Sequence, residues 1–405
     1  MNLRPTKATS QFEFIILVAL LSSLIALSTD AMLPAMPEIS RDLGLADVNR
    51  VQLIISVFIL GTGVGQLFFG PLADYKGRKT AISTGLLIFI AGSVICIYSE
   101  SFTVMLIGRL IQGLGVAGPR TASVAMVRDL YSGRDMARVM SFVMGVFILV
   151  PAVAPAVGQG VIYLSGWREI FLVFILLAVI AFVWLGLRQP ETNPVENRSP
   201  FSFANLIAAA KSVFSNRATM LYTGAAGLIF GSFVAYLGTA QQIFTEVFGV
   251  GEKFPAYFAA MALSIGAASF FNAKLVMNYG MRAVCRTAFL SVAGISTTYF
   301  VLVLLVPAAQ NLTMFMIWGM ASFFCVGMVF GNLNSLAMEP MGKVAGVAAA
   351  LIGFGSTLIS VAVGTPVGQL YSGNILPLIG AFALFTSISF MLLLLAGRVR
   401  QDPSQ

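Results

Sequence analysis

The chain has 405 residues, 58% of them hydrophobic and only 10% charged, with a mean hydropathy of +0.91. A soluble domain carries roughly 25% charged residues, so the composition excludes a water-soluble globular protein and indicates an integral membrane protein. No histidine occurs, which excludes imidazole catalysis and an imidazole proton relay, and no GxxxxGKS or GxxxxGKT loop is present, which excludes a P-loop ATPase.

At about 20 apolar residues per bilayer crossing, the sequence divides into twelve candidate spans: 12–34, 50–73, 80–98, 102–126, 138–163, 168–188, 218–240, 254–273, 284–306, 312–334, 342–368 and 374–397. These runs are continuously apolar rather than alternating, so the spans are helices and not barrel strands. The expected fold is an all-α membrane protein in three parts. Residues 1–188 form an N-terminal six-helix bundle, 189–217 a cytoplasmic linker, and 218–405 a C-terminal six-helix bundle. The net charge of +8 is a topology signal and not a nucleic-acid footprint. With alternate loops on opposite sides, about 18 of the 24 Lys and Arg lie on the side of both termini, and the positive-inside rule makes that side the cytoplasm. Arg41, Arg50, Arg168 and Lys253 fall on the other side, and Arg109 and Arg120 lie within span 4.

Span 1 reads loosely as a signal peptide around Thr29 and Ala31, but its length and the even span count it completes favour retention. It carries Asp30, about five residues from its outer end at 1.5 Å per residue. Span 2 ends in GPLADYKGRK, from Gly70 to Lys79. Asp74 sits there at the negative end of its helix dipole and needs a cationic or helix-N-terminal partner. Gly70 and Gly77 let the two helices and their short loop pack closely, with Arg78 and Lys79 opening span 3. In span 4, Arg109 lies about seven residues from the outer start, at a depth similar to Asp30, so pairing or water-mediated contact is feasible. An ionisable group at such depth costs roughly 2.5–3.5 kcal/mol on insertion scales and usually faces a cavity or a partner. Either Asp30 is a solvated residue near a helix end, or it is sheltered between dehydration and a neighbouring guanidinium and exchanges a proton for a substrate. Arg120, nearer the inner surface, is either a cavity residue or a structural clamp. In span 5, Gly145 to Gly158 spaces glycines and prolines at helical intervals. Pro151 and Pro155 remove backbone donors and bend the helix, and small neighbours permit close approach to the other half.

The linker stretch Arg188 to Pro200 holds three prolines and mixed charge. It leads into Phe203, Leu206, Ile207, Ala210 and Phe214, apolar at helical spacing beside Lys211 and Arg217, which reads as a short amphipathic helix on the inner membrane surface or as a loop. After span 8 the stretch Asn272 to Arg282 echoes the loop after span 2: with Gly280 on Gly77, Met277 replaces Asp74. A degenerate repeat of this kind fits two bundles related by an axis along the membrane normal. Phe233, Tyr236 and Gln241 in span 7 and Asn332 in span 10 are candidate substrate contacts, together with Asp30 and Thr29. The pairs Gly342/Gly346 and Gly364/Gly368 read as packing seams. Cys96, Cys285 and Cys325 lie within spans and far apart, so no disulfide framework is expected; the sequons at Asn197 and Asn311 carry little weight.

Gly70, Leu72, Ala73, Asp74, Gly77, Arg78 and Lys79 resemble the loop signature of the major facilitator superfamily. Arg109, Gln112 and Gly113 resemble that family's fourth-span motif, which implies that the arginine takes part in proton coupling. Gly145, Pro151, Pro155 and Gly158 resemble its antiporter motif in part, with Val150 and Ala154 where glycine is favoured. With STDAMLPAMPEI, RDLYSGRD and GWREIF, the N-terminal half is similar to the Bcr/CflA-type drug:proton antiporters. Some relatives carry a second acid two turns before Asp30, where this chain has Ser22. The resemblance implies the major facilitator fold in a bacterial inner membrane, a proton gradient and no other cofactor, a small-molecule substrate, no metal and a monomer. The expected activity is proton-driven export of small amphipathic compounds by alternating access, with Asp74 reaching the start of span 11 near Gly342 as a latch of the outward-open state. The rival expectation on the same fold is a proton-coupled importer or facilitator of a small metabolite.

Overall fold

A computed structural model describes residues 10–198 and 203–399; the chain termini, and the linker residues 199–202, lie outside the described residues. Among those described there are twelve helices long and apolar enough to cross a membrane, and no strand. Spans 1 to 6 are Gln11–Asp30, Leu53–Lys76, Arg78–Ile97, Phe102–Leu130, Gly133–Leu164 and Glu169–Arg188. Spans 7 to 12 are Arg217–Gln242, Phe254–Tyr279, Met281–Leu305, Leu312–Met338, Ala345–Gln369 and Leu376–Val399. The linker contributes a further helix, Phe203–Ser215.

Polar caps begin several spans. Ser10, Ser101, Asn216 and Asn311 each accept a backbone N–H three residues on, satisfying donors that the first turn leaves free. Span 1 departs from its expected end at residue 34. Its helix stops at Asp30, a 3-10 turn covers Leu33–Ala35, and a helix resumes over Met36–Asp42. Pro34 and Pro37 sit in the first turns of these two short elements, where a missing N–H is harmless, so each proline starts a turn and does not end the run. Asp30 therefore lies further from the end of the apolar run than the sequence suggests.

The chain packs as two units, residues 1–46 with 57–203 and residues 47–56 with 204–405. In the first unit span 1 packs on spans 4, 5 and 6, and span 3 on spans 4 and 6. In the second unit span 7 packs on spans 10, 11 and 12, and span 9 on spans 10 and 12. The same partnerships thus recur six spans on. Backbone geometry repeats as well: Gly77 has φ +100° and ψ 158°, and Gly280 has φ +81° and ψ 155°. Both are left-handed conformations that side chains resist, so each joins its two spans by the same sharp turn. The seam expected at Gly364 is present, where an added Cβ would lie 2.3 Å from the Gly231 carbonyl oxygen. Gly342 has open space around it; the 3-10 stretch Glu339–Val344 holds it outside the helix that would have formed a seam.

Candidate functional site

In the first unit the polar residues of spans 1, 3 and 4 converge. Arg109 is fully buried, and its guanidinium donates to the Ser28 carbonyl at 3.0 Å and to Gln112 Oε1. It also lies over the Phe58 ring, 4.3 Å from the centroid, a cation–π geometry. Gln112 Nε2 donates to Ser93 Oγ at 2.8 Å, and Ser93 in turn donates to the Phe89 carbonyl at 2.8 Å. Glycines make this convergence possible. A Cβ on Gly92 would stand 2.4 Å from Gln112 N, and one on Gly113 would stand 2.2 Å from the Phe58 carbonyl oxygen.

Asp30 is the last residue of the span-1 helix, 5% exposed, and among the described residues it forms no ion pair. Burial excludes the solvated reading. Arg109 reaches span 1 two residues from Asp30, at the Ser28 carbonyl. Thr29 is buried too, and its hydroxyl donates to the Ile25 carbonyl at 2.9 Å, which leaves only its lone pairs for another group. Span 5 meets the same segment. An added Cβ on Gly158 would lie 2.0 Å from the Ala31 carbonyl oxygen, so this glycine closes onto span 1 of its own unit. Gly145 has nothing within 4 Å. The span-5 helix runs without interruption through Pro151 and Pro155.

At the turn between spans 2 and 3 of the same unit, Arg78 donates to Asp74 and, through Nε, to Asp129 Oδ2 at 3.0 Å. The linker completes this cluster. Glu191 accepts the backbone N–H groups of Arg78 and Lys79 at 2.9 and 3.1 Å, an acidic cap on the span-3 N-terminus, supplied from a distance because Gly77 has no side chain to offer. Lys79 Nζ donates to the Gly186 carbonyl at 3.2 Å, Thr192 donates to Asp129 at 2.9 Å, and Asn193 donates to the Asp74 carbonyl at 3.2 Å. Gly70 is half-buried on the approach to this cluster.

In the second unit Phe233 and Tyr236 stack near each other, 6.1 Å between centroids, against Phe323 at 5.7 and 4.7 Å. Phe230 and Phe330 extend the aromatic group. Asn332 is buried and donates to Asn272 Oδ1 at 2.8 Å and to the Met328 carbonyl at 2.7 Å. Gln241 donates to Thr245 at 3.2 Å. The structure brings the two expected aromatics together and commits the side-chain donors of Asn332 and Gln241 to their own unit.

A further polar cluster in this unit has no counterpart in the sequence reading. Gln52 Nε2 donates to Gln242 Oε1 at 2.7 Å, Gln242 to Asn49 Oδ1 at 3.1 Å, and Gln369 to the Asn49 carbonyl at 2.9 Å. Asn49 donates to the Tyr371 carbonyl at 2.7 Å, and the Tyr371 hydroxyl to Glu246 at 3.1 Å. Burial, with the nearby Glu246 carboxylate, pushes the Tyr371 phenol above its ordinary range. Neutral amides widely separated in sequence give no charge signal by which this cluster could have been found.

Twelve apolar helices in two repeated units, with a buried acid and a buried arginine in neighbouring helices, are the architecture of a membrane transporter. Residues 18–365 match the Major Facilitator Superfamily, and the chain belongs to that family. It is 30% identical over 368 residues to a bicyclomycin resistance protein homolog of Haemophilus influenzae, covering 89% of each chain. It is also 30% identical over 275 residues to a chloramphenicol resistance protein of Pseudomonas aeruginosa, covering 67% of this chain and 64% of that one. The likeness to the bicyclomycin resistance protein homolog supports the Bcr/CflA-type branch of that family for this chain. The crystal structure of the human organic anion transporter MFSD10 matches with a TM-score of 0.70 and 17% identity, covering 97% of this chain and 100% of that one, a likeness of fold.

Proposed function

We propose that this protein exports small amphipathic compounds in exchange for protons, by alternating access, as a monomer in a bacterial inner membrane with both termini in the cytoplasm. The observation that carries the reading is Asp30, buried, without an ion-pair partner among the described residues, at the end of a helix whose last turn is bonded by Arg109. A buried carboxylate needs compensation, and a proton or a hydrogen-bonding cargo supplies it in turn; that alternation is exchange. Resistance-protein relatives support drug-like cargo.

Proton release from the purified protein tests this. Chloramphenicol added in weakly buffered detergent should acidify the solution with the wild type, and Asp30→Asn should abolish the acidification. Release that persists in the variant moves coupling to another group and overturns the role of Asp30.

A further inference from the structure

Arg120 is the charge in span 4 that the exchange mechanism leaves unused. It lies ten residues from the inner end of that helix at Leu130, about 15 Å along the axis. It is eleven residues from Arg109, which at 100° per residue puts the two arginines on nearly the same face, about 17 Å apart along the helix. Their environments differ completely. Arg109 is wholly buried and bonded. Arg120 is exposed, although residues 115–119 before it and 122–123 after it are buried. Among the described residues its guanidinium has no hydrogen-bond or ion-pair partner; only its backbone carbonyl is used, by the Ser123 hydroxyl at 3.2 Å.

Arg120 thus stands open within an otherwise buried stretch of its helix. Hydrocarbon is excluded as its neighbour, because a guanidinium at this depth facing lipid has five donors and nothing to accept them. Three acids near the inner end of the unit are already bound, Glu13 by Arg188 at 2.8 Å, and Asp74 and Asp129 by Arg78; Asp135 lies beyond the end of span 4, in the first turn of span 5. Asp30 is about 20 Å further out by helix rise. Between the two levels span 1 presents Ser22 and Ser23, both buried, whose hydroxyls have no hydrogen-bond partner. With serine at position 22, no carboxylate there repels an anion.

Resting on the transport reading above, we infer that Arg120 binds an anionic group of the cargo, so that the compounds carried best are amphipathic organic monoanions. A planar guanidinium pairs bidentately with a carboxylate. Arg120 holds the charged end of the molecule, at a level of the unit separate from Asp30.

A matched pair on one skeleton tests the assignment: chloramphenicol, which is neutral, and its hemisuccinate, which adds a carboxylate. Binding of both to the purified full-length protein should favour the hemisuccinate by about tenfold or more. The preference should fall to about one in Arg120→Gln and survive in part in Arg120→Lys. The methyl ester of the hemisuccinate, of nearly equal bulk but uncharged, should lose the preference in the wild type, a comparison that needs no variant to fold. A wild-type ratio of one or less, an ester that binds like the acid, or a preference that survives Arg120→Gln overturns the assignment. Efflux of neutral chloramphenicol from proteoliposomes under a pH gradient reports separately on transport: efflux without anion preference sinks this inference alone, and no efflux sinks the parent reading.

Discussion

Arg109 is gripped by groups from three helices: the Ser28 carbonyl, Gln112 one turn along its own helix, and the Phe58 ring. Each replaces hydration that a guanidinium loses on burial, and removing one leaves a donor stranded. Gln112→Leu deletes the acceptor for Arg109 together with the bond to Ser93. A stranded buried donor costs about 1–3 kcal/mol, more beside a charge, so the variant should unfold several degrees earlier in detergent, and Gln112→Glu, which keeps the acceptor, should recover most of the loss. An unchanged melting profile for Gln112→Leu would show that the glutamine does not support the arginine. Asp30 and Arg109 were legible in the sequence because charge is rare in an apolar run. Ser93 and Phe58 were not, since serine and phenylalanine are ordinary span residues, and only the glycine-mediated packing at Gly92 and Gly113 brings them to the site.

At the scale of the helix, apolar run length located every span, and the errors fall at the ends. Span 1 was placed too short: Pro34 and Pro37 each open a new turn, and helical structure continues to Asp42. The glycines of span 5 share a sequence signature but not a job. Gly158 sits against the Ala31 backbone and Gly145 faces open space. Gly158→Ala forces a methyl group into a carbonyl, and overpacking of this kind costs about 1–3 kcal/mol; Gly145→Ala places its methyl where nothing stands. Thermal unfolding and chloramphenicol efflux should both suffer in the first variant and in neither respect change in the second. Equal behaviour of the two would show that the contact with span 1 is unimportant.

Over the whole molecule, the duplication was legible at one faint place, the alignment of Gly280 with Gly77, and the matching φ values and helix partnerships bear it out. The repeat is unequal in chemistry. Asp74, Arg78, Asp129 and Glu191 gather at one turn, whereas the second turn carries an exposed Met277 in place of the acid. Glu191 was not legible as a participant, because a linker acid finds its helix only once the chain has folded back on Gly77. With Asp74 proposed as the latch of the outward-open state, Asp74→Asn should lower the population of that state, read as distances between spin labels at the span ends beside Asp74; an identical distribution would remove the latch. The joint between Gly158 and Ala31 has its own consequence for motion. Two main chains in direct touch possess no rotamers with which to absorb a displacement, so a tilt of either helix is handed to the other undiluted. The acid one residue away is thereby geared to span 5 without backlash.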